Sequence, residues 1–77
     1  MPHIHIRHYP REFTAEQLRA VDEAVTAAVT KTFATGEDTV SISLEPIRPE
    51  DWEEQVLSEM AARRELLVKR PGYWKES

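Results

Sequence analysis

The sequence predicts an α+β fold built from one βαβ unit, in which a strand, a long helix and a second strand follow one another directly. Three observations support it. Polar and apolar residues alternate over residues 3–9 and again over residues 39–44, and apolar residues recur at helical spacing between these stretches. Such a succession favours parallel strands with a right-handed crossover, so we expect a single domain over residues 1–77.

The first predicted strand has one apolar and one polar face. Ile4 and Ile6 share the apolar face. The residues on the polar face are His3, His5, Arg7 and Tyr9. Pro10 follows, and it ends the strand because proline cannot donate a hydrogen bond to a sheet.

The central helix is predicted to begin with a capping box, in which Thr14 and Gln17 satisfy free backbone N–H groups. Its apolar face would comprise Leu18, Val21, Val25, Ala28, Val29, Thr32 and Phe33. The residues placed opposite are Glu16, Arg19, Asp22, Glu23 and Thr26. Gly36 is expected to end the helix in the left-handed C-terminal position.

The remaining pattern predicts a second strand and a second helix. The strand runs from Thr39 to Leu44 and ends before Pro46. After Pro49, acidic residues near the helix start and basic residues near its end suit the helix dipole. We expect this helix to stop at Pro71-Gly72, and a break within residues 58–62 remains an alternative.

The short chain predicts self-association. It has 77 residues and no cysteine, so disulfides and cysteine-ligated metals are excluded as sources of stability. A two-stranded sheet is marginal in water and leaves open edges, and pairing two copies would give a four-stranded sheet with both long helices on one face. Because the opposite face is polar enough to stay hydrated, we expect a homodimer rather than a hexamer.

Composition excludes several classes of partner. The net charge of −4 is a poor electrostatic match to the phosphate backbone of a nucleic acid. No apolar run approaches the length of about 20 residues that spans a bilayer, and the pattern at the start of the chain is not that of a signal peptide. We therefore expect a soluble cytoplasmic protein.

No cofactor or metal is expected. With only two glycines, the chain has no loop that could cradle a phosphate. His3, His5 and His8 lie close together on the first strand, but no carboxylate or cysteine is placed to complete a ligand set.

Pro2 is the candidate catalytic residue. Methionine before a small residue such as proline is normally removed during synthesis, which would leave the Pro2 nitrogen as a free secondary amine. In an apolar pocket or near a cation such an amine loses its proton more readily, and it becomes a workable general base near neutral pH. The alternative is that Pro2 is simply a proline at the start of a strand.

A set of short segments, in order along the chain, carries a resemblance to a known family. The segments are Met1-Pro2-His3-Ile4 with Ile6, Pro10-Arg11-Glu12, Ser41-Ile42-Ser43-Leu44, Ile47 with Pro49-Glu50 and Trp52, and Lys69 with Pro71-Gly72-Tyr73. Over essentially its whole length the chain resembles the tautomerase superfamily, in particular the PptA-type members, which are similar to 4-oxalocrotonate tautomerase but longer at the C-terminus. The resemblance implies a βαβ tautomerase fold and an amino-terminal proline that transfers a proton within a keto–enol pair.

The resemblance also implies substrate-binding positions at which this chain departs from the family. The best-known member uses two arginines to bind a dicarboxylate; here Arg11 lies next to the first position, which Glu12 occupies, and Ser41 stands at the second. Serine offers one hydrogen bond rather than a bidentate clamp, which favours a monocarboxylate. Trp52 falls where the family places an aromatic pocket wall. Arg11 as a solvated loop residue and Trp52 as core packing stay open.

We therefore expect a tautomerase that interconverts the keto and enol forms of a 2-keto acid such as a phenylpyruvate-like enol. Pro2 is assigned as the base, with Arg11, Ser41 and Trp52 as substrate-binding residues. Two alternatives remain: a decarboxylase or hydratase of the same fold, and a binding or assembly protein that has no catalytic activity.

Overall fold

The computed structural model describes residues 1–74. The chain divides into two compact units, the first over Met1–Ile47 and the second beginning at Arg48. The first unit contains strand β1 (His3–His8), helix α1 (Ala15–Phe33), a single 3₁₀ turn (Glu37–Thr39) and strand β2 (Ser41–Pro46). The strands are parallel, which confirms the predicted α+β fold with a βαβ arrangement.

Strand β2 lies two residues further along the chain than predicted. Thr39 belongs to the 3₁₀ turn, and Pro46 is the last strand residue, aligned with His8. The amide of Ser41 donates to the carbonyl of Pro2 (3.2 Å) and the amide of Ile47 donates to the carbonyl of His8 (2.7 Å). Residues with odd numbers thus donate to β1, and Pro46 falls between two donors, where its missing N–H costs no bond to β1.

The start of α1 is as predicted, and its end is not. The side-chain oxygen of Thr14 accepts from the amide of Gln17 (3.1 Å), and the side-chain oxygen of Gln17 accepts from the amide of Thr14 (3.0 Å). At the other end Ala34, with φ 53° and ψ 49°, takes the left-handed position that was expected for Gly36. Gly36 has φ −77°, and its carbonyl accepts from the amide (3.1 Å) and the hydroxyl (2.7 Å) of Thr39. This 3₁₀ turn draws the chain out of the helix two residues early.

The packed face of α1 is rotated relative to the predicted one. Thr26, predicted on the solvent face, is half-buried, whereas Leu18 and Phe33 are 44% and 66% exposed. Asp22, also placed opposite, lines a groove together with Leu18, Val21, Val40, Ile42 and Leu44. The hydroxyl of Thr26 donates to the Asp22 carboxylate (2.9 Å), so these polar groups satisfy each other on the packed side.

After Arg48 the second unit is helical over fourteen residues, through an α-helical turn (Pro49–Trp52), a π-helical stretch (Glu53–Leu57) and an α-helical turn (Ser58–Ala62). The prediction that this helix reaches Pro71 is wrong. Arg63 leaves the helical region with φ −126° and ψ 35°, and a separate 3₁₀ turn spans Arg64–Leu66. The positions one helical turn after Met60 are the charged residues Arg63 and Arg64. A longer helix would therefore have no further apolar residue to bury in its next turn.

Candidate active site around Pro2

Pro2 lies at the head of β1 and is anchored by its backbone. Its carbonyl accepts the hydrogen bond from the Ser41 amide, which adds one more rung to the parallel ladder before the first strand residue. Pro2 is half-buried, whereas the side chain of Met1 is fully exposed. Removing Met1 therefore costs no packing and uncovers the Pro2 nitrogen.

An open cavity of about 550 Å³ surrounds Pro2. It is lined by Met1, Pro2, His3, Ile4, Val29, Phe33, Ala34 and Thr35. The end of a crossover helix returns to the edge where both parallel strands begin, and this topology brings the last turn of α1 to the head of β1. Apart from His3 and Thr35 the lining side chains are apolar, and the cavity is open to solvent.

Ser41 is close to Pro2 through its backbone, and its side chain is engaged elsewhere. The Ser41 hydroxyl lies 2.7 Å from Nδ1 of His3, its partner in the strand register. The histidine tautomer determines which of the two groups donates. The pair holds the His3 ring across the two strands at the edge of the site.

Three other polar side chains of β1 also have partners. Nε2 of His5 lies 2.9 Å from Oε1 of Glu45, and Nε of Arg7 lies 3.4 Å from the same oxygen. Nδ1 of His8 lies 2.7 Å from the carbonyl of Tyr9. Each histidine ring thus has a different protein partner, and within residues 1–74 no three His, Cys, Asp or Glu residues are arranged to hold a metal ion.

The chain does not bring Arg11 to Pro2. Arg11 follows β1 and Pro2 precedes it, and a six-residue strand at about 3.3 Å per residue puts roughly 20 Å between the strand's two ends. Arg11 is exposed, and its guanidinium carbon lies 4.8 Å from the ring centre of Phe13. This cation–π contact is the structural role that the chain itself provides for Arg11.

Trp52 belongs to the second unit and is half-buried there. Its indole Nε1 donates to the hydroxyl of Tyr73 (3.1 Å). At the start of the same unit, Nε of Arg48 donates to the Asp51 carboxylate (3.0 Å), and this hydrogen bond raises the pKa of Arg48. Among the four predicted site residues, the structure brings Pro2 and Ser41 together.

Sequence reasoning missed two residues that line the Pro2 cavity. Val29 and Phe33 were assigned only to the packed face of α1, yet both border Pro2. The available signal was topological. A crossover helix ends beside the start of the first strand, so its last turn was a source of wall residues.

The structure is that of a small α+β protein with one βαβ unit and a cavity beside Pro2, at the edge of the sheet where both strands begin. A family model described as "Tautomerase enzyme" matches residues 2–63, and the chain belongs to this tautomerase family. It is accordingly an isomerase, as the resemblance implied.

Curated relatives support the same family assignment. A protein named Tautomerase PptA from Escherichia coli O127:H6 is 37% identical over 73 residues, covering 95% of this chain and 97% of the relative. Proteins of the same name from Pectobacterium atrosepticum and Pectobacterium carotovorum are 34% and 31% identical over 74 residues, with the same coverage. Within residues 1–74, no helix has the length and apolar character to cross a membrane.

Proposed function

We propose that this tautomerase interconverts the enol and keto forms of a 2-keto acid, of which a phenylpyruvate-like enol is the model, and that the Pro2 nitrogen is the general base once Met1 is removed. The observation that carries the proposal is the position of Pro2. It is half-buried beside a cavity with mostly apolar side chains, and the residue before it, Met1, is fully exposed.

The proposed reaction needs one group that first accepts and then donates a proton. The neutral secondary amine takes the proton from the enol hydroxyl, and the C–O bond gains double-bond character as the electron pair moves toward the adjacent carbon. The protonated amine then delivers its proton to that carbon, which yields the ketone and regenerates the base. No proton or electron is gained or lost overall, so the reaction requires no co-reactant.

The binding roles follow from the placement of the side chains. Ser41 is next to Pro2 through its backbone, and its one hydroxyl, which pairs with His3, suits a single carboxylate rather than two. Arg11 lies past the far end of β1, so in our proposal the Arg11 that meets the substrate comes from a second copy. The role of Trp52 as an aromatic pocket wall stays a prediction from the resemblance.

We also propose that the protein is a homodimer. The described strands form a sheet of two, which is marginal in water by itself. Within residues 1–74 only Ile47, at 5% exposure, is a buried apolar residue. Both observations support a core that is completed by association.

The test compares three forms of the protein whose intact masses have been measured. The first begins at Pro2, the second carries one extra residue before Pro2, and the third is Pro2→Ala with a free amine. Enol ketonisation is followed for each form, and sedimentation verifies assembly.

The extra residue converts the Pro2 nitrogen into an amide, which no longer has a basic lone pair. The extended form should therefore lose nearly all ketonisation activity while it stays folded. Pro2→Ala keeps a primary amine and should retain a small fraction of the activity. If the extended form ketonises enols as fast as the form that begins at Pro2, Pro2 is not the base.

A further inference from the structure

We propose that Phe33 determines substrate specificity, because its ring forms the surface on which the aromatic ring of the substrate packs. This inference rests on the proposed function, since it concerns the cavity at Pro2. It assigns the wall of that cavity to the last turn of α1, where the chain supplies Phe33 and Val29.

The geometry of the helix end directs Phe33 to the cavity. Val29 and Phe33 are four residues apart and therefore share one face of α1. Phe33 is the last helical residue, and Ala34 turns the chain away in the left-handed conformation. The amides of Ala34 and Thr35 both donate to the carbonyl of Thr30, the latter at 3.2 Å, so the backbone on either side of the ring is held.

The exposure of Phe33 indicates that its ring is available to a ligand. The residue is 66% exposed although it borders a cavity together with the half-buried Pro2, Ile4 and Val29. Covering such a ring is favourable because it removes apolar surface from water. Aromatic rings add a preference for offset or edge-to-face contact at centroid distances of about 4.5–7 Å. A flat aromatic ring therefore fits this wall better than a small alkyl group.

The charge distribution also favours an uncharged ring at this wall. The helix end contributes Val29, Phe33, Ala34 and Thr35 to the cavity, none of which is charged. The ionisable side chain of this lining, His3, comes from the strand side, where it pairs with Ser41. The helix side of the cavity thus favours an apolar group.

The experiment measures kcat and KM of Phe33→Ala and Phe33→Leu on the enols of an aryl-substituted and a methyl-substituted 2-keto acid. Thr32→Ala is the matched control, since Thr32 is an exposed neighbour on the same turn that does not line the cavity. We expect Phe33→Ala to raise KM for the aryl enol roughly tenfold, with kcat within about twofold and the methyl enol unaffected. The KM of Phe33→Leu for the aryl enol should lie between those of the parent and Phe33→Ala. Thr32→Ala should have the kcat and KM of the parent on both enols.

Two results would overturn the assignment. Equal losses on the aryl and methyl enols would mean that Phe33 supports the fold rather than the substrate. A change in sedimentation of Phe33→Ala would identify the ring as a contact between copies.

A binding measurement separates this inference from the proposed function. Chemical-shift titrations of the parent and Phe33→Ala with 3-phenylpropanoate and with propanoate report binding without turnover. If the parent ketonises no enol but binds the phenyl compound more tightly through Phe33, the proposed reaction fails and the specificity assignment stands. If the parent turns over enols and Phe33→Ala binds both compounds as the parent does, the assignment fails alone.

Discussion

The amide of Ser41 donates a hydrogen bond to the carbonyl of Pro2 across 3.2 Å, so the first residue of β2 holds the residue that precedes β1. Parallel pairing requires this neighbourhood, because both strands begin at the same edge of the sheet. The backbone of residue 41 therefore stays next to Pro2 in any variant that keeps the strand pairing, which makes position 41 a suitable place to test the preference for substrate charge.

Activity should rise with pH through one ionisation with a pKa below that of an ordinary α-amine. The base must be neutral to accept the enol proton, and an apolar cavity disfavours the protonated amine. The measurement is kcat/KM across pH for the form that begins at Pro2. His3 is the control, since its imidazole lines the same cavity and can also accept a proton. His3→Gln should leave the midpoint in place, and a midpoint that disappears in this variant would assign the ionisation to His3.

Monocarboxylate enols should turn over faster than dicarboxylate enols. Ser41 supplies one hydroxyl, which is already bonded to His3, and lacks the positive charge that a second carboxylate requires. Ser41→Arg should raise the turnover of dicarboxylate enols and so narrow the difference between the two substrate classes. Ser41→Gln is the control, because it enlarges the side chain without adding a charge. Equal kcat/KM for the two substrate classes in the parent protein would contradict the prediction.

The protein should sediment as a dimer at micromolar concentration. A two-stranded sheet is not independently stable, and within residues 1–74 the only buried apolar residue is Ile47. Its unfolding midpoint should rise with protein concentration, because association stabilises the folded state. A folded monomer would contradict dimerisation, and a hexamer would mean that the polar sheet face is also covered.

Ala34→Gly should raise the free energy of unfolding by about 0.5–1 kcal/mol. The left-handed conformation of Ala34 costs a residue with a Cβ about 1–2 kcal/mol, which glycine would avoid. Part of this gain in stability is lost, because glycine makes the unfolded state more flexible. Urea unfolding at fixed protein concentration measures the change.

Gly36→Ala provides the comparison for this substitution. Gly36 has an ordinary φ of −77°, and an added Cβ would meet Oδ1 of Asp38 at 2.7 Å, the end of a flexible side chain that can turn away. The cost should therefore stay within about 0.5 kcal/mol. If Gly36→Ala greatly lowers the free energy of unfolding and Ala34→Gly does not raise it, the left-handed residue is at position 36.

The sequence by itself determined the features that depend on neighbouring residues. The capping box of Thr14 and Gln17 and the alternation of β1 are set by hydrogen bonds and side-chain periods within a few positions. The parallel pairing also followed, because few topologies join two strands through one helix. Pro2 was identified from its place in the chain and from the chemistry of a secondary amine.

The tertiary structure decided the features that the sequence patterns alone left undetermined. Ala34 rather than Gly36 takes the left-handed conformation, while the Gly36 carbonyl accepts from Thr39. The residues of α1 that are half-buried were decided by its contact with the sheet, along the groove that Val40, Ile42 and Leu44 line. Phe33 reached the Pro2 cavity because the crossover brings residues thirty positions apart to one edge, and no local periodicity distinguishes a ring that faces a core from one that faces a cavity.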